Sequence, residues 1–212
     1  LEEATEIMYT AFNRSNFQQE IFELYHDLIT FGTAAMFIEE DEDDLVRFST
    51  RHIDEIYIAE NKKGTIDTIY RKFHMTARAL VQKFGDKVSE DIRTLATKNP
   101  YQEIDIIHVV YPRDEFNPKK KDKANMPFES IYFEYKGGNE LSVSGFKEFP
   151  FVVPRYLKAS NEVYGRSPAM TALPDVKMLN EMCKVTIKAA QKQVDPPLLV
   201  PDDGFLLPVR TV

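Results

Sequence analysis

The sequence has few of the residues that mark fibrous or disordered chains. Its 212 residues include only 8 glycines and 12 prolines, whereas 43% are apolar and 12% aromatic. This composition excludes a collagen-like, low-complexity or disordered chain. A chain of this length buries roughly 70% of the surface that it exposes when unfolded. The length therefore predicts one large domain or two small ones, each with a hydrophobic core.

Cysteine and long apolar runs are also scarce. The single Cys183 cannot form an intramolecular disulfide, so the fold does not depend on an oxidising compartment. No run approaches the roughly 20 apolar residues of a membrane-spanning helix, and the first residues do not show the basic, apolar, small-residue order of a signal peptide. We expect a soluble cytoplasmic chain without a membrane partner. A start at Leu1 and an apolar, proline-containing end suggest a piece of a longer protein.

The motifs of common enzymes and metal sites are missing. The four histidines have no His-x-x-x-His spacing, and the acidic run 39–44 lacks the EF-hand pattern and predicts a solvated turn. Gly137-Gly138 does not continue into a phosphate loop, and there is neither a nucleophile elbow nor a Rossmann glycine pattern. We therefore predict no catalytic, cofactor-binding or metal site. The lone Cys183 is expected to pack as a small apolar residue. The histidines, predicted to be structural or solvent-exposed, are His26, His52, His74 and His108.

The charge is unevenly distributed. Residues 1–44 contain twelve Asp or Glu and one basic residue, Arg14, so the other 168 residues carry a net charge of +4. An overall charge of −7 and a pI of about 5.2 exclude general adhesion to nucleic acid. Only local basic stripes could contact DNA.

Periodicity predicts an α+β chain rich in antiparallel strands. A Ser15–Gln18 capping box should start the second helix, and Gly32 should end it. The hairpin over 33–49 is expected to share a sheet with the strands of 53–73, and 104–146 to form a second β-rich section. The predicted helices are 1–13, 15–31, 76–84, 89–98 and Pro168 to about Val194. The predicted strands are 33–38, 45–49, 53–59, 65–73, 104–111, 128–135, 141–146 and 152–157.

The last of these helices is unusually long and apolar on much of its circumference. Ser167-Pro168 marks its start, Pro174 lies early in it, and Asp195-Pro196-Pro197 stops it. About 26 residues at 1.5 Å each span about 39 Å, which predicts packing against copies of itself.

Four lysines of that helix fall within about 80° of one face at 100° per residue. Two hypotheses remain open for this lysine stripe: a solvated or subunit-pairing face, or a ring of charges that meets DNA phosphates. The loop containing Lys119–Lys123 is expected to be solvated, and the aromatic residues near it to belong to a sheet core. The four lysines are Lys177, Lys184, Lys188 and Lys192.

The segment 149–205 carries a family resemblance. It contains Phe149-Pro150-Phe151, then Asn161-Glu162-Val163-Tyr164-Gly165-Arg166-Ser167-Pro168, and later Val194-Asp195-Pro196-Pro197. In order and spacing these resemble the portal proteins, or head-to-tail connectors, of short-tailed bacteriophages. Weaker similarity runs back through 61–84 and 108–113, about two thirds of the chain in all.

The resemblance implies an α+β fold: an antiparallel β-rich wing with flanking helices over 1–158, one long C-terminal stem helix over 159–194, and the start of a clip over 195–212. It further implies a ring of twelve copies at the portal vertex of a virion, made in the cytoplasm of the bacterial host and active in DNA packaging and ejection. The implied partners are the packaging terminase, tail or adaptor proteins, capsid and scaffold proteins, and double-stranded DNA. Two alternatives are a monomeric nucleic-acid-binding adaptor and, with less support, a hydrolase.

Overall fold

A computed structural model describes residues 2–41, 43–117, 120 and 122–196. These residues form a mixed α+β structure, which confirms the predicted fold class. The helices are α1 (Glu2–Arg14), α2 (Phe17–Phe31), α3 (Ala77–Phe84), α4 (Glu90–Lys98) and α5 (Pro168–Val194). The strands are β1 (Ala35–Asp41), β2 (Leu45–Arg51), β3 (Ile56–Glu60), β4 (Ile66–Thr76), β5 (Glu103–Pro112), β6 (Phe128–Glu134), β7 (Glu140–Phe146) and β8 (Phe151–Val152).

The chain divides into two compact units, Leu1–Pro168 and Ala169–Val212. All strands and helices α1 to α4 belong to the first unit, and α5 from Ala169 onward belongs to the second. The predicted wing, stem and clip boundaries stay predictions. Most of the predicted clip, 197–212, lies outside the described residues.

The strands form two separate antiparallel sheets rather than the predicted arrangement. The order is β2-β1-β8 in one sheet and β3-β4-β5-β6-β7 in the other. The first hairpin therefore does not share a sheet with β3 and β4, and 104–146 is not a separate section. A 3-10 turn at Ile53–Glu55, where Asp54 N donates to His52 Nδ1, takes the place of the predicted strand start and separates β2 from β3.

Two further strand predictions are corrected. The predicted acidic turn over 39–44 is shorter than expected, because β1 continues to Asp41. The carboxylate of Asp41 accepts the N–H groups of Asp43 and Asp44, which form the turn. Of the predicted strand 152–157, only Val152 lies in β8, and Arg155 and Leu157 form isolated bridges. Pro154, which has no N–H, prevents a continuous ladder there.

The start of α2 also differs from the prediction. Its N-cap is Asn16, not Ser15, and the Asn16 side chain makes no capping bond. Instead the Asn16 amide donates to Phe48 O at 2.8 Å and accepts from Phe48 N at 3.0 Å, which ties α2 to β2. By contrast, Thr76 caps α3 as predicted, accepting from Ala79 N.

Three apolar clusters form the core of the first unit. One joins the two sheets around Phe37 and Ile69, one lies beneath α3 and α4 around Leu80 and Ile106, and one lies beneath α1 and α2 around Leu24. Helices α2, α3 and α4 each bury at least one apolar residue in these clusters, whereas α1 contributes only the partly buried Phe12.

His108 is buried in this core. Its Nε2 lies 2.9 Å from Ser130 Oγ, and its ring stacks on Tyr132 with centroids 3.9 Å apart. Burial, with smaller contributions from the charges of Arg71, Lys83 and Arg51, lowers the pKa of His108 to about 3. A neutral, structural histidine is the result.

Gly32 ends α2 in the left-handed conformation, as predicted, with φ of 78°. A Cβ at this position would lie 2.5 Å from both Arg166 C and Ser167 N. A Cβ at Gly165 would likewise collide with Gly32 O. The two glycines therefore let the backbone before α5 lie directly against the end of α2.

We expect Gly32→Ala to lower the free energy of unfolding by about 2–5 kcal/mol, as measured by urea denaturation. Alanine at positive φ costs about 1–2 kcal/mol, and relieving the clash adds about 1–3 kcal/mol. Gly138→Ala is the matched control, because Gly138 has φ of 66° but nothing near its Cβ position. If the two variants lowered the free energy of unfolding equally, the close approach of the 165–167 backbone to Gly32 would be contradicted.

His108 predicts a pH dependence of stability. The unfolded chain protonates this ring near pH 6.5, whereas the folded protein holds it neutral down to about pH 3. Acid thus favours unfolding, and lowering the pH from 7 to 5 should remove about 2 kcal/mol through this group alone. His108→Asn should flatten that part of the profile, because asparagine does not titrate at this buried site. An unchanged profile for His108→Asn would contradict this assignment.

Candidate functional site

The segment 154–167, here called the anchor segment, leads from β8 to the long helix. Its backbone bonds to the turn after α2: Tyr156 N donates to Gly32 O at 2.9 Å, and Gly165 N donates to Thr33 Oγ1 at 2.7 Å. At its end Ser167 Oγ donates to Thr30 O at 2.8 Å. These contacts fix the backbone immediately before Pro168.

Charged side chains attach the other side of the anchor segment to the β3–β4 hairpin. Arg155 pairs with Glu60 and donates to Gly64 O at 3.1 Å, and Lys158 Nζ lies 2.6 Å from the same Glu60 carboxylate. The bond from Lys158, followed by that from Arg155, lowers the pKa of Glu60. The Glu60 carboxylate thus binds both Arg155 and Lys158 of the anchor segment.

Tyr164 gives a third attachment. Its hydroxyl accepts from Ile58 N at 3.2 Å and lies 3.4 Å from Ile56 O. The residues around Gly165 that carry the sequence resemblance are therefore the ones that join the anchor segment to α2 and β3. The sequence alone marked them as a pattern but gave no reason for it.

Helix α5 has the predicted bounds, from Pro168 to Val194, and continues through Pro174. Every residue of 169–196 is exposed. Cys183 is among them, so the prediction that it packs as a small apolar residue is wrong for these residues. Met178, Leu179, Met182, Val185 and Ile187 are 57–61% exposed. Within the described residues, this helix carries the largest concentration of exposed large apolar side chains.

The four lysines of the predicted stripe, Lys177, Lys184, Lys188 and Lys192, are all exposed on α5. Lys184 Nζ lies 3.0 Å from Glu181 Oε1, with both side chains more than half exposed. Glu181 shares the sector of the lysines, a neighbour that the sequence interpretation had not included. Such an exposed pair contributes little to stability and leaves the face positive.

The second basic cluster is only partly described. Lys119 and Lys121 lie outside the described residues, while Lys120 and Lys123 are exposed. Of the aromatic residues near it, Phe128 and Tyr132 pack on the core as predicted. Phe116 and Tyr135 are instead 44% and 51% exposed, and Phe133 is partly buried.

Among the described residues, no three His, Cys, Asp or Glu side chains come together as a metal site would require. No helix in the same ranges is long and apolar enough to cross a membrane.

Comparison with known proteins gives a family match over nearly the whole chain. The family model described as bacteriophage head to tail connecting protein matches residues 1–211. The portal protein of Salmonella phage epsilon15 is 36% identical over 199 residues, covering 92% of this chain and 36% of that protein. The probable portal protein of Bordetella phage BPP-1 is 33% identical over 217 residues, covering 100% of this chain and 39% of that protein.

The chain thus spans well under half the length of these curated relatives, and its match to the family model leaves only the last residue out. It belongs to the family of bacteriophage head-to-tail connecting proteins.

Proposed function

We propose that the chain is part of a portal ring, the structural connector through which phage DNA is packaged and later ejected. The observation that carries this proposal is α5, a helix of 27 residues with no buried residue of its own. The family match and the two portal relatives support the same role.

The exposure of α5 is the physical reason for a ring. Apolar surface left in water costs about 25 cal/mol for each Å², and single proteins rarely leave large contiguous apolar patches uncovered. Copies related by cyclic symmetry give each helix a neighbour on both flanks. A side-by-side ring of α5 helices would cover their flanks and enclose a hole.

The proposal extends to the surroundings of such a ring. We infer a dodecamer at the portal vertex of the virion, made in the cytoplasm of the bacterial host. Its partners would be the packaging terminase, tail or adaptor proteins, capsid and scaffold proteins, and double-stranded DNA. The role is structural and not enzymatic, with the terminase supplying the motor chemistry of packaging.

Within this ring, we propose that the lysine stripe faces the DNA. Symmetry would multiply each of the four lysines into a ring of charges, at a face where Glu181 is the nearest opposing charge on the same helix. DNA must move through such a channel without being bound tightly. A few lysines, screened by salt and carried on an otherwise acidic protein, meet this requirement. Contacts with phosphates carry no base specificity.

Assembly of the protein that contains these residues tests the ring directly. Native mass spectrometry should give one closed oligomer of about twelve copies, and negative-stain images should show rings with a central hole. In a ring with cyclic symmetry, each copy contacts one neighbour on each of its two flanks. A monomer that persists at high concentration would contradict the proposal.

The lysine stripe is tested by reversing two charges, Lys184→Glu together with Lys188→Glu. We expect packaged or retained DNA to fall about tenfold while ring assembly is unchanged, because phosphate contacts are lost. Lys62→Glu with Lys63→Glu, two exposed lysines in the β3–β4 turn, is the matched control and should package normally. Loss of assembly would instead place the lysines against acidic groups of a neighbour, and normal packaging by the test variant would also contradict the proposal.

A further inference from the structure

Three cationic side chains approach one another inside the first unit, and here they are called the cation cluster. They come from three elements: Arg51 from β2, Arg71 from β4 and Lys83 from α3. Burial is the main cause that lowers the pKa of Arg51 and the pKa of Lys83. The charge of Arg71 lowers both pKa values further, and the charge of Arg51 also lowers that of Lys83. The three cations therefore lie near enough to repel one another.

The position of the cation cluster follows from the strand register and from ring contacts. In the five-stranded sheet, Arg71 lies opposite His108, and His108 lies opposite Tyr132. Lys83 reaches this row from α3, with its Nζ 4.8 Å from the centroid of the Tyr132 ring. Two members of the cluster thus border the stack of His108 on Tyr132.

Arg51 approaches the same place from the three-stranded sheet. Its guanidinium carbon lies 5.9 Å from the centroid of the Phe37 ring, which is 6.1 Å from the centroid of the His108 ring. The Arg51 residue is half-buried. The cation cluster therefore lies where the three-stranded sheet and α3 both approach one face of the five-stranded sheet.

Most hydrogen-bond donors of the cation cluster have no partner. Arg51 and Lys83 form no hydrogen bond and no ion pair with any residue that the structure describes. Within the same residues, Arg71 donates only from Nε, to Glu55 Oε2 at 2.8 Å, and its side chain is 12% exposed. A guanidinium carries five N–H donors and an ammonium three, and a partly buried charge without a partner is unfavourable. The cluster thus lacks an acceptor with several oxygens.

The carboxylates near the cation cluster do not supply that acceptor. Glu55 is already paired with Arg71. The charge of Glu39, on β1, acts on both Arg51 and Lys83, but among the described side chains Glu39 forms no ion pair with either. Three cations and two carboxylates leave one net positive charge at this place.

The geometry of the donors favours phosphate over carboxylate. A carboxylate is planar and can pair with a single guanidinium, as that of Glu55 does with Arg71. A phosphate group has oxygens on several sides and more charge, so it can accept bonds from arginine and lysine side chains at the same time. The hydroxyl of Tyr132 adds a donor, because burial raises its pKa to about 12 and keeps it protonated.

We infer that the cation cluster binds a phosphate group, which Arg51 and Lys83 contact from the three-stranded sheet and from α3, and Arg71 from the five-stranded sheet. A phosphate of the nucleic-acid backbone and a free phosphate present the same kind of oxygens, so the experiment has to separate these two sources. The site is distinct from the lysine stripe of α5 and does not depend on the proposed ring.

Isothermal titration calorimetry with sodium phosphate tests the site in the protein that contains this chain. Constant ionic strength keeps the nonspecific screening of surface charges unchanged during the titration. We expect saturable binding by the native protein. Arg51→Gln and Lys83→Gln should each weaken this binding about tenfold, because each removes a charge-assisted bond to phosphate.

Two matched variants remove an arginine from the same elements outside the cation cluster. Arg47→Gln changes β2 and Arg78→Gln changes α3, and both arginines are exposed. Both variants should bind phosphate as the native protein does. Binding that falls equally in the test variants and in these controls would contradict a site at the cluster.

Thermal unfolding shows whether the Arg51 variant remains folded. Because Arg51 has no partner among the described residues and is repelled by Arg71, Arg51→Gln should unfold at the native temperature or above it in buffer without phosphate. Added phosphate should raise the unfolding temperature of the native protein more than that of the variant, since a ligand stabilises the state that binds it. A lower unfolding temperature of the variant without phosphate would show that the guanidinium already has a structural role, which contradicts the inference.

A short DNA duplex and a tetraglutamate peptide identify the source of the oxygens. Displacement of phosphate by the duplex, together with weaker duplex binding by Arg51→Gln, would support the site and assign it to the nucleic-acid backbone. Saturable phosphate binding that the duplex does not displace would support the site and assign it to a free phosphate. Stronger binding of the peptide than of phosphate would make the cluster a site for an acidic protein segment and overturn the inference.

The inference also fails if neither phosphate nor the duplex binds in a way that depends on Arg51 and Lys83. That result would leave the proposed function untouched, because ring assembly is measured separately. Conversely, a protein that forms no ring but binds phosphate at the cation cluster would contradict the proposed function and support this site.

Discussion

The close approach of Gly32 and Gly165 is the constraint on which the rest of the site depends. With no Cβ on either residue, the backbone before α5 can lie against the end of α2 and exchange hydrogen bonds with it. The Arg155–Glu60 pair and the Tyr164 hydroxyl then hold the same segment to β3 and the following turn. The position of Pro168, where α5 begins, is therefore set by the packed core of the first unit.

The two units differ in how far their apolar residues are buried. The first unit has a packed core of three apolar clusters, although some large apolar side chains of its first two helices, such as Ile7 and Phe22, are exposed. In α5, by contrast, comparable side chains such as Leu179 and Ile187 are exposed along the whole helix. The proposed ring explains this contrast between a unit with a packed core and a long helix with no buried residue. It also accounts for an acidic chain that nevertheless presents four lysines on one face.

Local signals predicted much of this structure from sequence. The bounds of α5, the Thr76 cap and the glycine stop at Gly32 were confirmed because proline, hydroxyl and glycine act within a few residues. Sheet membership could not be predicted, since pairing of β4 with β5 joins strands distant in sequence. The capping box at Ser15 was wrong because a tertiary bond to Phe48 decides the start of α2. For the site, the lysine spacing was evident, but the anchoring roles of Tyr164 and Gly165 depend on distant partners.

The central claim is that α5 helices of neighbouring copies stand side by side around a hole. A cryo-electron microscopy reconstruction of the assembled protein that contains this chain tests it most directly. The account predicts adjacent α5 axes about 8–10 Å apart at their closest approach, arranged around the symmetry axis. A reconstruction in which α5 is enclosed by other segments of its own chain, away from the axis and without contact to a neighbouring α5, would contradict it.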